Sequence, residues 1–438
     1  MIALVSSGRA CSSACSSLHT VVRDGFLASL LAPRSSGLRH PSTSSSFPAP
    51  RSPRFTPRRP FHSTSPLNST TTKVSYGVAA SSSGKGRRFY PIKNSYNFTP
   101  EEQEAIGVVT DTRDRLIQRR RRPDSGEDAF FASRVGQNGT NAVAFAVADG
   151  VGGWAESKVD PADFSHALCG YMAEAALSWD SPAEELRPVN LLQAGYDGVV
   201  ADDKIPAGGS TASVGVGLED GRVELANLGD SGSVLLRLGA VHHYSIPQTH
   251  GFNTPYQLSI IPPQMRTQAS IFGGSFLEDF PRDAAVTNLQ MQHGDVLILA
   301  TDGVFDNLNN QDILKHVTSR MIATGAWTVD SDYGIQLAEG LKQLTQPEGL
   351  SSLIFPSQAG PEQSSLSRSR EHSHTLQSLI AASIVGEAKL ASMDSRRDGP
   401  FAKEAQRYYP GDWYRGGKVD DISVVVVVAV DEGYPAKI

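Results

Sequence analysis

Three short apolar runs of this chain carry acids at their ends, and that pairing restricts the fold more than any other feature. AVAFAVADG spans residues 142–150, DVLILATDG residues 295–303 and DDISVVVVVAV residues 420–430. Each run is far too short to cross a bilayer and is bounded by turn residues, so each reads as a buried strand, the last covered on both faces. Covering layers are available. Phe164, Leu168, Tyr171, Met172 and Ala175 recur at three and four residues, which predicts a helix over 161–177 opened by Asp160 and Pro161. Similar spacing predicts helices over 189–201, 313–322 and 375–393, and again through Ile335, Leu337, Leu341 and Leu344. Between them TASVGVGL, RVELANLGD and SVLLRLGAVHHY are separated by EDG and DSG, Gly-containing connections expected of sequential hairpins. Strands cluster without regular alternation with helices, so the expected class is α+β: antiparallel sheets packed on each other and flanked by helices. No GxGxxG and no GxxxxGK[ST] is present to cradle a nucleotide.

Charge divides the chain in two. Residues 1–72 hold eight Arg, no Lys and one acid, for a net +7, while the remainder carries −13 of the overall −6. The basic part is crowded with Ser and broken by Pro48, Pro50, Pro53, Pro57 and Pro60. Arg-rich, Ser-rich and acid-poor is the composition of an organellar transit peptide, and the apolar spacing from Leu18 to Leu31 suits its recognition as an amphipathic helix. RRPFHSTSP at 58–66 resembles a fungal mitochondrial presequence junction. The division expected is a transit segment over 1–72, a linker over 73–94 and a folded domain over 95–434 interrupted by a polar, Ser-rich insertion at 346–373. An acidic remainder excludes a protein that coats nucleic acid. With Cys11 and Cys15 in the first segment, only Cys169 remains, which excludes a disulfide framework and points to a reducing compartment.

The acids carry the chemistry. Glu127 and Asp128 precede Phe130 and Phe131, Asp149 and Gly150 close one strand, Asp302 and Gly303 close another, and Asp420 and Asp421 open the last. Singly, an Asp-Gly step is an ordinary turn and paired acids before a strand are solvated loop or edge protection. Together they meet at one end of a sheet, where unpaired carboxylates repel unless cations share them. Such oxygen donors suit Mg2+ or Mn2+, and no His or Cys cluster offers zinc ligands.

GEDAFF, AVADGVGG, GGSTA, NLGDSGS, LATDGVFDN and DDISVVVV occur in the order and at roughly the spacing of the motifs of type 2C metal-dependent Ser/Thr protein phosphatases, and from about 122 to 430 the chain resembles that family. DGVGGW and FNTPYQLS resemble its mitochondrial branch, which includes phosphatases linked to ubiquinone biosynthesis. The resemblance implies a four-layer fold, two antiparallel sheets with helices on both outer faces. It implies a binuclear centre in which Asp149 bridges two metals, the Gly150 carbonyl ligates one, and Asp302 and Asp420 complete the other shell. Glu127 and Asp128 then reach the metals largely through water, and Asp230 with Asp306 matches a weaker third site. Asp421 stands where relatives usually have Asn and is expected to support the ligands.

The implied reaction is hydrolysis of phosphoserine and phosphothreonine by a water bridging two Mg2+ or Mn2+ ions about 3.5–4 Å apart, with no covalent enzyme intermediate. Cys169, mid-helix among apolar neighbours, reads as core. Two positions depart from the family pattern. Val151 stands where many members have a His that is a candidate acid for the leaving oxygen. Pro123 stands where members often place a phosphate-gripping Arg; Arg122 is the candidate substrate-binding substitute, and a solvated basic loop is the alternative. The expected partners are phosphorylated proteins of the mitochondrial matrix, with no nucleic acid and no membrane span, the chain acting as a monomer. Two other classes stay open: a catalytically inactive phosphoprotein-binding regulator and a phosphatase of a small phosphorylated metabolite. Retention of all four metal-ligand residues argues against the former.

Overall fold

The computed structural model describes residues 73–434, apart from residues 113, 137–138, 158, 272–275, 348, 351–373 and 412. The basic segment 1–72 and most of the expected insertion lie outside the described residues.

One six-stranded sheet contains β1 (Val74–Ser83), β2 (Ser95–Phe98), β8 (Gly232–Arg237), β9 (Ala240–Tyr244), β11 (Val296–Ala300) and β12 (Ile422–Asp431), in the order β9-β8-β11-β12-β1-β2. The other contains β3 (Ala105–Ile106), β4 (Asp128–Arg134), β5 (Val143–Asp149), β6 (Ala212–Gly217), β7 (Arg222–Leu228) and β10 (Ala285–Gln290), in the order β10-β7-β6-β5-β4-β3. Every pairing within the two sheets is antiparallel. The helices that frame them are α1 (Arg115–Arg121), α2 (Pro161–Leu177), α3 (Pro188–Ala201), the one-turn α4 (Asp302–Phe305), α5 (Asn310–Ala323), α6 (Leu376–Met393) and α7 (Pro400–Tyr408).

Side-chain alternation builds the layers. Along β12, Val425, Val427 and Ala429 join Phe130, Phe145 and Val147 of the other sheet in the central core. Val424, Val426 and Val428 face the opposite way, against Ile313, Val317 and Met321 of α5 and Ile380 and Ile384 of α6. On the other sheet Ala144, Ala146 and Ala148 lie under Phe164, Leu168 and Met172 of α2. This is the expected sandwich of two antiparallel sheets with helices on both outer faces, and each fully buried Val of β12 contributes roughly 1.5–3 kcal/mol of transfer free energy. Helix starts follow local chemistry: Asp160 accepts from Ala162 N at 3.2 Å with Pro161 first in α2, and Asn309 accepts from Gln311 N and Asp312 N to open α5. Among the described residues no helix is long and apolar enough to cross a membrane.

Three expectations are corrected. Residues 73–94 are no linker, and the domain does not begin at 95: β1 lies inside the first sheet and pairs with β12 along its whole length, from Val74–Asp431 to Ser83–Ile422. Its sequence, VSYGVAASSS, hides this because small residues replace large ones where α6 crosses closely; a Cβ on Gly77 would stand 3.1 Å from both Gln377 and Thr345. The connection GDSG is no hairpin. β6 and β7 pair, but the chain then crosses to the other sheet, where β8 pairs with β11 and with β9. Ile335 and Leu337 lie on a small hairpin, opposite Val329 and Trp327, and only Leu341–Thr345 is helical. Leu337 and Leu341 are four apart by coincidence of a strand meeting a helix.

Candidate metal centre at one end of the sandwich

Register gathers the acids. β4 and β5 place Asp128 directly opposite Asp149. In the other sheet Ala300 pairs with both Val424 and Gly232, so the end of β11 lies between the starts of β12 and β8. Thr301 and Asp302 therefore neighbour Asp420 and Asp421, and the crossover puts Asp230 at the same end. Asp306 follows one helical turn after Asp302, its N–H donating to the Asp302 carbonyl at 2.7 Å. Of the nine residues expected at the site, Asp149, Gly150, Asp302, Asp420, Glu127, Asp128, Asp230 and Asp306 are brought to this end, while Arg122 is engaged elsewhere.

The surrounding backbone is shaped for these side chains. Gly150 N donates to Glu127 O at 3.2 Å, and a Cβ at 150 would stand 2.6 Å from that carbonyl and 2.9 Å from Pro161 O. A Cβ on Gly152 would stand 2.8 Å from Glu127 Oε2, so only glycine leaves room for that carboxylate. Asp421 is a clamp: Glu127 N donates to its Oδ2 at 2.8 Å and Lys85 N donates to its Oδ1. Gly126, at φ +73°, lies so close that a Cβ would stand 2.0 Å from Asp421 Oδ1. Thr301 Oγ1 donates to Asp128 Oδ2 at 2.8 Å and accepts from Ser423 N at 3.0 Å.

Burial, followed by the charges of Asp302, Asp128, Asp420 and Asp230, pushes Asp149 well above the usual carboxylate range. Burial and then Asp421 do the same to Asp128. Glu127 is raised to about 7 by burial, Asp421 and Asp420, and Asp230 to about 7 by burial and Asp302, with Lys418 opposing. Asp302 goes the other way: burial raises it, but the charge and hydrogen bond of Lys418 hold it below its ordinary value.

Among the described residues no three acid, imidazole or thiol side chains close on one point as a finished cation cage. The Lys418 ammonium stands between Asp302, Asp306 and Asp420. The donor set nevertheless fits hard cations. Asp128, Asp149, Asp230, Asp302, Asp306 and Asp420 share one region, where Lys418 and the half-exposed Lys85 pair with them as counter-charges. Asp128 Oδ1 and Asp230 Oδ1 are buried oxygens with no hydrogen-bond partner. Carboxylates, carbonyls and water are what Mg2+ and Mn2+ take, and cations here would relieve both the repulsion and the orphaned oxygens.

Sequence reasoning missed Lys418, Thr301, Lys85 and Asn307. Lys418 had one available signal: it stands two residues before Asp420, on the same side of an extended segment. Arg122 is tied to α2, donating to Asp163 at 2.6 Å and lying 3.5 Å from Asp160, with its side chain 16% exposed. Val151 joins a small apolar cluster with Trp154, Ala207 and Ile261, and its N–H donates to Gly209 O at 3.0 Å. Cys169 is buried and burial raises its thiol, as expected of core.

A family model described as Protein phosphatase 2C matches residues 118–342. Protein phosphatase 2C homolog 7, mitochondrial, of Saccharomyces cerevisiae is 36% identical over 242 residues, covering 55% of this chain and 68% of the relative. The 5-azacytidine resistance protein azr1 of Schizosaccharomyces pombe is 32% identical over 314 residues, covering 71% of this chain and 84% of the relative. Among solved structures, the photosystem II phosphatase PBCP aligns over 69% of this chain and 91% of its own, at 26% identity and a TM-score of 0.46.

Proposed function

The chain belongs to the protein phosphatase 2C family and is a protein serine/threonine phosphatase, and from that premise we propose that it hydrolyses phosphoserine and phosphothreonine on mitochondrial proteins at the acid-lined end of the sandwich, using two Mg2+ or Mn2+ ions. The observation that carries the reading is the surplus of buried carboxylates, two with orphaned oxygens, at the junction of the two sheets. Divalent ions held there would neutralise that surplus and developing phosphoryl charge, and lower the pKa of an attacking water. Asp149, Asp302, Asp420 and the Gly150 carbonyl are the direct ligands in this reading, with Glu127 and Asp128 behind them. Asp421 and Thr301 orient these last two: one holds the Glu127 amide, the other a carboxylate oxygen of Asp128. With Val151 in an apolar cluster, no imidazole stands at that position, and the leaving oxygen takes its proton from water or from another residue.

A mitochondrial location is supported by the printed name of the Saccharomyces relative and by the Arg-rich, acid-poor composition of residues 1–72. The same composition supports the matrix, and enzymes of ubiquinone biosynthesis are the first substrates to try. The chain acts as a monomer in this reading. The test is phosphate release by the full chain from a phosphothreonine peptide and from a panel of phosphorylated metabolites, with Mn2+, with Mg2+ and with excess chelator, beside Asp302→Asn. Metal-dependent turnover of the peptide, lost in chelator and in the variant, is expected. Turnover of metabolites alone would move the reading to a small-molecule phosphatase, and none at all from folded protein to a phosphoprotein-binding regulator. N-terminal sequencing of protein isolated from mitochondria tests the location, an intact Met1 counting against it.

A further inference from the structure

Lys418 is built into the acid cluster. Its side chain is 15% exposed, and Nζ lies 2.6 Å from Asp302 Oδ2, 2.6 Å from Asp306 Oδ2 and 3.2 Å from Asp420 Oδ2. An ammonium has three N–H donors and no acceptor, so three carboxylates account for all of them. The Phe401 ring also faces the ammonium, its centre 4.9 Å away. The backbone is fixed as well. Asn307 Oδ1 accepts from Lys418 N at 2.9 Å, and Asn307 Nδ2 donates to Lys418 O and to Gly303 O, each at 2.9 Å. That double contact clamps the lysine loop to the turn bearing Asp302 and Asp306. On its other side, a Cβ on Gly417 would stand 2.1 Å from Ala391 O, so the loop is pressed onto α6.

We propose that Lys418 fills, with its own ammonium, the seat between Asp302 and Asp306 that would otherwise take a third divalent ion, so that this chain binds two cations and not three. The inference rests on the two-ion reading above and deepens it. A tethered single charge replaces a dissociable double one. It stays in place in chelator, bridges Asp302 and Asp306, and presents Asp302 to the remaining ions in a fixed orientation. Lys418 is on this account a positioning residue.

The experiment is equilibrium dialysis of the full chain against Mn2+ with elemental analysis, beside thermal melting with and without the ion. Wild type is expected to hold about two Mn2+ per chain and Lys418→Met about three, since the substitution keeps the side-chain length and frees the seat. In chelator Lys418→Met is expected to melt below wild type and to gain more on adding Mn2+, because the freed carboxylates then take an ion that the unfolded chain does not. Should Lys418→Met not fold, Asp306→Asn decides: stoichiometry stays at about two if the lysine fills the seat, and falls from three to two if an ion does. Three Mn2+ on wild type, or two on folded Lys418→Met, would overturn this inference alone. No Mn2+ on wild type would overturn the two-ion reading beneath it.

Discussion

Asp128 and Asp149 face each other across neighbouring antiparallel strands, in step with Phe130 and Val147, which fill the core between the two sheets. Like charges opposed in this way destabilise a strand pair. The register cannot relax by one residue, because that would exchange Phe130 for Phe131, or Val147 for Ala146, in the central core. Packing on β4 and β5 thus holds two carboxylates where neither would settle alone, a conflict that a bound cation would remove.

Asp149→Asn tests that balance. In chelator the variant is expected to melt several degrees above wild type, since one of two opposed buried charges is gone. With Mn2+ its phosphate release is expected to fall by at least about 10²-fold. Scanning calorimetry and a phosphothreonine peptide assay read both; a variant less stable than wild type in chelator would show that the opposed carboxylates do not burden the fold.

Asp421 illustrates why an acid stands at a position where the family usually has Asn. Its two oxygens each accept from a backbone N–H, one from Lys85 and one from Glu127. Asn offers one carbonyl oxygen and turns an NH2 toward the other donor. Asp421→Asn is therefore expected to lower stability by about 1–3 kcal/mol and to loosen Glu127, read as a shifted urea midpoint with unchanged slope. A midpoint equal to that of wild type would rule out the two-amide clamp.

What could be read from sequence was what is local. The strands at 143–149 and 296–300 and the helix over 161–177 announce themselves by apolar period and by Asp160 and Pro161. The acids were legible because each sits at the end of such a run. β1 was not, since Gly77, Ala79, Ala80 and the serines that follow carry no bulky apolar signal, and their burial depends on β12 and α6, contributed by distant sequence. The crossover at Asp230 was not, because a Gly-containing turn looks the same whether the next strand returns to its neighbour or joins another sheet. Lys418 took its place from Asn307 and Phe401, which only the folded chain brings near.

Arg122 separates a structural ion pair from a phosphate grip. Asp163 is nearly buried and accepts from Arg119 and Arg122; burial disfavours its ionised form, but these guanidiniums more than offset that and lower its pKa. A carboxyl lowered on folding gives stability that is present above its unfolded value, near 4, and is lost as pH falls through the folded value beneath it. Arg122→Ala is expected to cost about 1–3 kcal/mol while leaving the Michaelis constant for a phosphopeptide unchanged, and Asp163→Asn to flatten the fall in stability below pH about 4. A raised Michaelis constant with unaltered stability would return Arg122 to the substrate.

Thr301 links the two sheets at the site. It is fully buried, as is Asp128, and its hydroxyl serves both Asp128 Oδ2 and Ser423 N, so one oxygen joins β4 of one sheet to β12 of the other. Thr301→Val keeps the shape and removes the hydroxyl, leaving Ser423 N and both Asp128 oxygens without a partner, since Oδ1 has none already. The expected loss is about 2–4 kcal/mol, with Mn2+ affinity weaker by about 10- to 100-fold because Asp128 is no longer oriented. Thr301→Ser keeps the hydroxyl and is expected to retain the affinity while losing about 1 kcal/mol for the missing methyl. Urea denaturation and calorimetric Mn2+ titration of the two variants separate the roles. Equal affinities for Val and Ser would show that the hydroxyl acts on the fold and not on the cation site.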